Sequence, residues 1–295
     1  MARVVEARTL TDRPEPSAHE ARSARRLRLV GDQMASARAG LNRELKRVAE
    51  IQRSFLPEAL PRIPGFDVAA YYQPSALAGG DYFDIVPLAK DRWGLVMADV
   101  AGHGVSATVI MAVMRALVHA HLPHTRYLPA CAFLEFINEQ MMGAYTANGR
   151  FVTVWAAVLD PVTRRLTYAS AGHNPPRLMR AGRVMALDAV GGLPIGIDGA
   201  AAYEECTVTL EAGDLLVVYT DGITEAMSAV DGCRAFFATE GLDRALLAAG
   251  EAGAEECMRR VTTAVDEFTG MRVPADDQTI LVVRVEQGAA EACSG

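Results

Sequence analysis

Residues 79–104, GGDYFDIVPLAKDRWGLVMADVAGHG, decide how this 295-residue chain is read. Tyr82 to Leu88 is apolar and aromatic, Ala89-Lys90-Asp91 has turn character, and Trp93 to Val100 is a continuous apolar run. That pattern predicts a β-hairpin. An acid stands at each outer end, Asp81 just before the first strand and Asp99 near the end of the second. Antiparallel pairing lays those ends side by side. Two carboxylates held that close repel unless positive charge lies between them. Gly79, Gly80, Gly102 and Gly104 leave the backbone free to approach such a charge, and a divalent cation suits it. Taken alone, the stretch is equally compatible with two ordinary strand-end acids beside turn glycines.

Composition narrows the class. Half of the residues are apolar, yet no uncharged run approaches the ~20 residues that a bilayer span requires. The leading MARVVEARTLTDRPEPS lacks the apolar centre of a signal peptide, so a cytoplasmic location is expected. Cys131, Cys206, Cys233, Cys257 and Cys293 follow no CxxC spacing and are odd in number, which argues against a zinc site or a disulfide frame. The net charge of −7 is unevenly spread. Residues 1–53 hold 12 Lys+Arg against 7 Asp+Glu, whereas the remainder holds 17 against 29. An acidic body disfavours a nucleic-acid substrate and suits cation binding.

Residues 1–17, with Pro14 and Pro16 among polar neighbours, read as a disordered lead, and 288–295 as a disordered tail. From Ala18 to Phe55 the pattern is helical. Leu27, Met34, Leu41, Val48 and Phe55 recur every seven residues, Val30, Ala37 and Ile51 fill the intervening seam, and Glu44 breaks it. Such a repeat predicts a coiled-coil-like helix over 18–56 that pairs with a second copy, the alternative being an amphipathic helix lying on its own domain. The domain expected over 57–287 opens with a strand at Phe66–Tyr72. After the central hairpin come helices from Gly104 to about His121 and from about Pro129 to Tyr145. Strands then follow in pairs: Phe151–Leu159 with Arg165–Ala171, Pro176–Arg180 with Val184–Leu187, and Glu205–Leu210 with Asp214–Thr220 around Ala212-Gly213. Two helical stretches near 234–249 and 254–268 precede a last strand at Thr279–Val285. Paired strands and paired helices exclude a doubly wound sheet and predict a layered α+β domain.

Further acids occupy strand ends. Asp221 follows an apolar strand in YTDGITEA, and Asp276 and Asp277 precede the closing strand in ADDQTILVVRV. Oxygen ligands without histidine or cysteine select Mg2+ or Mn2+ over zinc. Sharing Asp99 between two ions gives a two-metal site able to activate water against a phosphoryl group. His103 lies close to Asp99 and is a candidate general acid, or a residue that packs against the following helix. His173-Asn174 suits a structural place in a loop near the site, and Glu225 a supporting acid beyond Asp221. His119, His121 and His124 cluster in sequence without the geometry of a metal site.

The ordered set GGDYFD, ADVAGHG, AGHNPP, GLPIGI, YTDGITEA and ADDQT resembles the PPM (type 2C-like) metal-dependent protein serine/threonine phosphatases, in their bacterial SpoIIE/RsbU branch. The resemblance covers roughly Ile51 to Val285, with EIQRSFLP before it also typical of that branch. It implies a four-layer α/β/β/α sandwich of two antiparallel sheets flanked by helices, with metals at one end and the N-terminal helix as an extension. It further implies that Asp99 bridges two Mn2+ or Mg2+ ions and their shared water. Asp221 and Asp276 would complete one shell, and Asp81 with the Val100 carbonyl the other. Asp277 is the less favoured alternative to Asp276, because the family's ligand stands three residues before a Thr or Ser, here Thr279. The type 2C arginine that grips phosphate has no counterpart in Pro74-Ser75-Ala76-Leu77-Ala78, so substrate affinity is expected from protein–protein contact.

The implied substrate is a phosphorylated STAS-type anti-sigma-factor antagonist in a partner-switching pathway. The N-terminal helix would carry the regulatory input, through homodimerisation or an activator docking on it, with the helices over 105–145 relaying it to the metals. Two rival readings remain, a silent scaffold that keeps the fold and a two-metal hydrolase of small phosphoesters or nucleic acid; no nucleotide-gripping loop supports the latter.

Overall fold

The computed structural model describes residues 18–102, 104–122, 129–143, 145–146, 149–228 and 235–287. The expected lead 1–17 and tail 288–295, together with His103 and His124, lie outside the described residues. Helix α1 (Ala18–Arg53) is followed by β1 (Phe66–Gln73), β2 (Tyr82–Pro87) and β3 (Trp93–Val100). Helices α2 (Val105–His121) and α3 (Ala130–Met141) come next, then β4 (Val152–Asp160), β5 (Arg165–Ala171), β6 (Arg177–Arg180) and β7 (Arg183–Ala186). The chain continues through β8 (Cys206–Thr209), β9 (Leu215–Tyr219), a single turn α4 (Asp221–Thr224), α5 (Ala238–Ala249), α6 (Ala254–Thr269) and β10 (Gln278–Val285). It divides into two compact units, with the division after Leu45. Along α1 the seam residues Leu27, Met34 and Leu41 are exposed. No helix among the described residues is long and apolar enough to cross a membrane.

Two five-stranded antiparallel sheets form, in the orders β1-β10-β9-β6-β7 and β2-β3-β4-β5-β8. Left-handed backbone at Lys90 (φ 63°) and Asp91 (φ 55°) turns β2 tightly into β3, and Ala181 (φ 49°) with Gly182 (φ 72°) does the same between β6 and β7. The register Tyr82↔Ala98 follows from the first turn. Helices α2 and α3 pack on the outer face of the second sheet, and α5 and α6 on that of the first. The result is four layers, α/β/β/α.

Strands β9 and β10 show why their sequences read as unbroken apolar runs. Leu215, Val217 and Tyr219 face α5 and α6 together with Ile280 and Val282, in a cluster that includes Leu242, Leu246, Val261 and Val265. The alternate residues Leu216, Val218, Leu281 and Val283 belong to the other cluster, with the second sheet. A strand sandwiched between two cores has no solvent face to alternate with.

One sequence-based pairing is corrected here. The Ala212-Gly213 turn suggested a hairpin between the strands that became β8 and β9, but β8 pairs with β5 while β9 pairs with β10 and β6. The turn carries the chain from one sheet to the other. The short α4 was also not foreseen.

Candidate functional site

The β2–β3 register places Asp81 beside Asp99. Asp81 is 1 % exposed. One of its oxygens, Oδ2, accepts hydrogen bonds from the hydroxyls of Thr220 (2.7 Å) and Thr279 (2.5 Å). The backbone N–H of Thr279 in turn donates to Thr220 Oγ1 at 3.0 Å. Strand ends of the first sheet therefore grip a carboxylate of the second. Asp221 begins α4 directly after Thr220, and Asp276 and Asp277 precede β10, which pairs with β9. All five sequence-predicted acids are brought to one end of the sandwich.

Their electrostatics record the crowding. Burial, then Asp221, Asp276 and Asp277, push Asp99 up to about 7, against a hydrogen bond with Asp81 that pulls the other way. Burial raises Asp81 well above the carboxylate range, with Asp99 adding to it. Asp221 is pushed up to about 6 by burial, then by Asp276 and Glu225. Each shift says that these groups lack compensating positive charge in the chain itself. The donor set is all oxygen, as a hard divalent cation requires. Asp99 feels four other acids at once, Asp81, Asp221, Asp276 and Asp277.

Asp276 and Asp277 differ sharply. Asp276 is exposed and accepts the N–H of Asp277 at 2.8 Å. Asp277 is 3 % exposed, and both its carboxylate oxygens are engaged: Oδ1 by the N–H (2.8 Å) and hydroxyl (3.0 Å) of Ser75, Oδ2 by the N–H of Gly80 (2.6 Å). Two glycines make this approach possible. A methyl group at Gly79 would collide with the Asp277 carboxylate, and one at Gly222 with the Asp277 carbonyl. The Val100 carbonyl oxygen faces Gly80, where a Cβ would lie 3.0 Å from it.

Several residues of this end were missed by sequence reasoning. Gln52, in the last turn of α1 and buried, donates from Nε2 to the Gly79 carbonyl (2.7 Å) and the Tyr72 hydroxyl (2.9 Å). Its Oε1 accepts the Gly79 N–H (3.0 Å). Thr108 on α2 donates its hydroxyl to the same Gly79 carbonyl (3.0 Å). Helix α1, helix α2 and the glycine pair before Asp81 thus meet at one peptide. The signal for Gln52 was a polar residue beside Ile51 of the seam, and its partners lie far along the chain.

Three of the described histidines, His173, His119 and His121, have structural partners. His173 hydrogen-bonds the Thr153 hydroxyl through Nδ1 (2.9 Å), and Thr153 stands opposite Asp99 across the β3–β4 pair. Burial lowers it to about 4, so the ring is neutral near pH 7. His119 Nε2 meets the Asp84 carboxylate at 2.7 Å, and His121 stacks on Phe136 with centroids 3.9 Å apart, so the two face different ways.

A two-sheet sandwich with outer helices and a cluster of carboxylates at one end defines the class of metal-dependent protein serine/threonine phosphatases of the PP2C type. The family model described as Stage II sporulation protein E (SpoIIE) matches residues 89–286, and the chain belongs to that family. It is 30 % identical over 186 residues to phosphoserine phosphatase RsbU of Bacillus subtilis, covering 62 % of this chain and 53 % of that one. The chain spans about half the length, or less, of the curated relatives it matches. Among solved structures, the SiaA-PP2C domain of Pseudomonas aeruginosa superposes with a TM-score of 0.74 at 22 % identity, covering 85 % of this chain and 99 % of that one. The RsbU and RsbW domains of Rv1364c from Mycobacterium tuberculosis give 0.66 at 26 %, covering 79 % and 64 %.

Proposed function

We propose that this chain hydrolyses phosphoserine and phosphothreonine on a protein substrate at the acidic end of the sandwich. The observation that carries the reading is the crowding around Asp99, whose proton is held up to about 7 by burial and by Asp221, Asp276 and Asp277. Such a cluster is stabilised by cations. Two Mn2+ or Mg2+ ions would be held by Asp81, Asp99, Asp221, Asp276 and the Val100 carbonyl. When bound, they supply Lewis-acid polarisation and an acidic water.

The chain's own residues prepare that site. Thr220 and Thr279 fix one oxygen of Asp81 and leave the other for an ion. Asp277, its oxygens already engaged, anchors the Ser75–Gly80 loop, which favours Asp276 as the ligand of the pair. With no arginine at 74–78, substrate is held by protein–protein contact.

Likeness to RsbU, a phosphoserine phosphatase, and to the RsbU and RsbW domains of Rv1364c supports a STAS-type anti-sigma-factor antagonist as substrate, in a cytoplasmic partner-switching pathway. Residues 57–287 form the phosphatase domain in this reading, and 18–56 a regulatory helix. The exposed seam at Leu27, Met34 and Leu41 fits a homodimer or a docked activator.

The test is phosphate release from a phosphoserine STAS protein with Mn2+, for the native chain and Asp99→Asn together. Release that needs both Mn2+ and Asp99 is expected. Mn2+ binding without release from any phosphoprotein, with or without an activator, would favour a silent scaffold.

A further inference from the structure

His173, in the AGHNPP motif, has no part in the chemistry proposed above, yet it is a polar ring only 6 % exposed. Its backbone is held from two sides. Gly172 takes left-handed backbone (φ 70°) and bridges Val154 of β4, and the Ser170 hydroxyl donates to the His173 carbonyl at 3.3 Å. The ring meets the Thr153 hydroxyl through Nδ1 at 2.9 Å, whereas Nε2 is buried and makes no hydrogen bond among the described residues. Burial lowers the ring's pKa, and the Tyr219 backbone pulls the other way, as a carbonyl facing a ring N–H does. With Nδ1 taken up by Thr153, the N–H that faces this carbonyl is on Nε2. Nδ1 of the neutral ring is then an acceptor, and Thr153 spends its one proton on it. Thr153 in turn stands opposite Asp99 in the β3–β4 register, which sets both side chains on one face of the sheet with Cβ atoms about 5 Å apart. From Gly94 to Val100 and from Val152 to Ala157, Asp99 and Thr153 are the two residues that are partly exposed. Both open at the acidic end of the sandwich.

We propose that His173 is a positioning residue that keeps the Thr153 proton turned away from Asp99, so that Thr153 offers the metal site lone pairs only and accepts a hydrogen bond from water on an ion that Asp99 holds. The inference rests on the metal-site reading and adds two residues to it. A Thr153 hydroxyl free to rotate would donate to Asp99, since a carboxylate is the stronger acceptor, and would compete with cations for its oxygens. His173 removes that option by taking the proton on the opposite side. The hydroxyl oxygen that remains is an acceptor, which suits the polarised protons of cation-bound water as Asp99 suits the cation.

The test is Mn2+ affinity by calorimetry on the full chain, with circular dichroism verifying the fold of each variant. Thr153→Val, which keeps the side chain's shape, should weaken binding about tenfold, the usual size for loss of a contact that supports a metal site. Thr153→Ser, which keeps the hydroxyl, should bind as the native chain does. His173→Phe frees the Thr153 proton for Asp99 and should also weaken binding about tenfold. His173→Asn, which leaves an acceptor near the place of Nδ1, should lose less. The double change His173→Phe, Thr153→Val should be no worse than Thr153→Val alone, because His173 acts through that hydroxyl. A merely structural His173 would give losses that multiply in the double variant, and that result overturns the proposal. So does Thr153→Val binding Mn2+ as tightly as the native chain. Nitrogen NMR of the metal-free chain near pH 7 gives a second readout, with His173→Asn identifying the signals: a proton on Nε2 and none on Nδ1 is expected, and the other tautomer overturns the proposal. A native chain that binds no Mn2+ would instead bring down the metal-site reading, and this inference with it.

Discussion

Replacing Gln52 by alanine should loosen the peptide that precedes Asp81. Three hydrogen bonds disappear: Nε2 to the Gly79 carbonyl (2.7 Å), Nε2 to the Tyr72 hydroxyl (2.9 Å), and the Gly79 N–H to Oε1 (3.0 Å). The Gly79 carbonyl keeps the Thr108 hydroxyl, whereas the Gly79 N–H loses the partner that the structure gives it. Lost bonds contribute about 1 kcal/mol each, and a buried N–H left bare costs about 1–3 kcal/mol. A destabilisation of about 3 kcal/mol is expected, read from urea unfolding of the 295-residue chain. A double-mutant cycle sharpens the test. Thr108→Val alone should cost about 1 kcal/mol, since Gln52 still serves the carbonyl. Combined with Gln52→Ala it should exceed the sum by roughly another 1 kcal/mol, because the carbonyl is then stripped of both side-chain donors. Mn2+ affinity by calorimetry should fall about tenfold with Gln52→Ala, the usual size for loss of a ligand-orienting contact. A loss under about 1 kcal/mol, or strict additivity with Thr108→Val, would refute the shared-peptide account.

Two further outcomes follow from the acids. Asp99 at about 7 and Asp221 at about 6 stand above the unfolded carboxylate value near 3.9, so the folded metal-free chain holds protons that the unfolded chain has released. Stability from these groups is therefore full below about pH 4 and is lost as pH rises through 6 to 7, by on the order of 3–4 kcal/mol for Asp99. Melting in EDTA should give a lower Tm at pH 8 than at pH 5, with Mn2+ narrowing the gap; a higher Tm at pH 8 in EDTA contradicts this. The two neighbouring acids should separate cleanly. Asp277→Asn turns an amide donor toward N–H groups and should destabilise by roughly 2–4 kcal/mol in urea. Asp276→Asn, at an exposed position, should shift stability by less than about 0.5 kcal/mol while weakening Mn2+ binding in calorimetry. The opposite pattern would make Asp277 the ligand.

The central hairpin, the helix over Ala18–Arg53 and the strand-end placement of Asp81, Asp99, Asp221 and Asp276 were legible from sequence alone. All rest on local information. Periods of two and seven, turn residues, and a tight turn at Lys90-Asp91 need no distant partner, and the turn alone lays Asp81 beside Asp99. The ordered motifs then carried the sandwich and the family, which the fold and the match over residues 89–286 bear out. What tertiary structure decided depends on groups far apart in the chain. The Ala212-Gly213 turn is as compatible with a hairpin as with a step between sheets, and only the pairing of β8 with β5 and of β9 with β10 resolves it. Asp276 and Asp277 are adjacent and chemically identical, and they part only because Ser75 and Gly80, some 200 positions away, donate to Asp277. The hydrogen bonds of Gln52, Thr220 and Thr279 are illegible in the sequence for the same reason: their partners lie 27, 139 and 198 residues distant. Periodicity reports which face a residue turns to the core, whereas hydrogen bonds between chain segments exist only once the layers have packed.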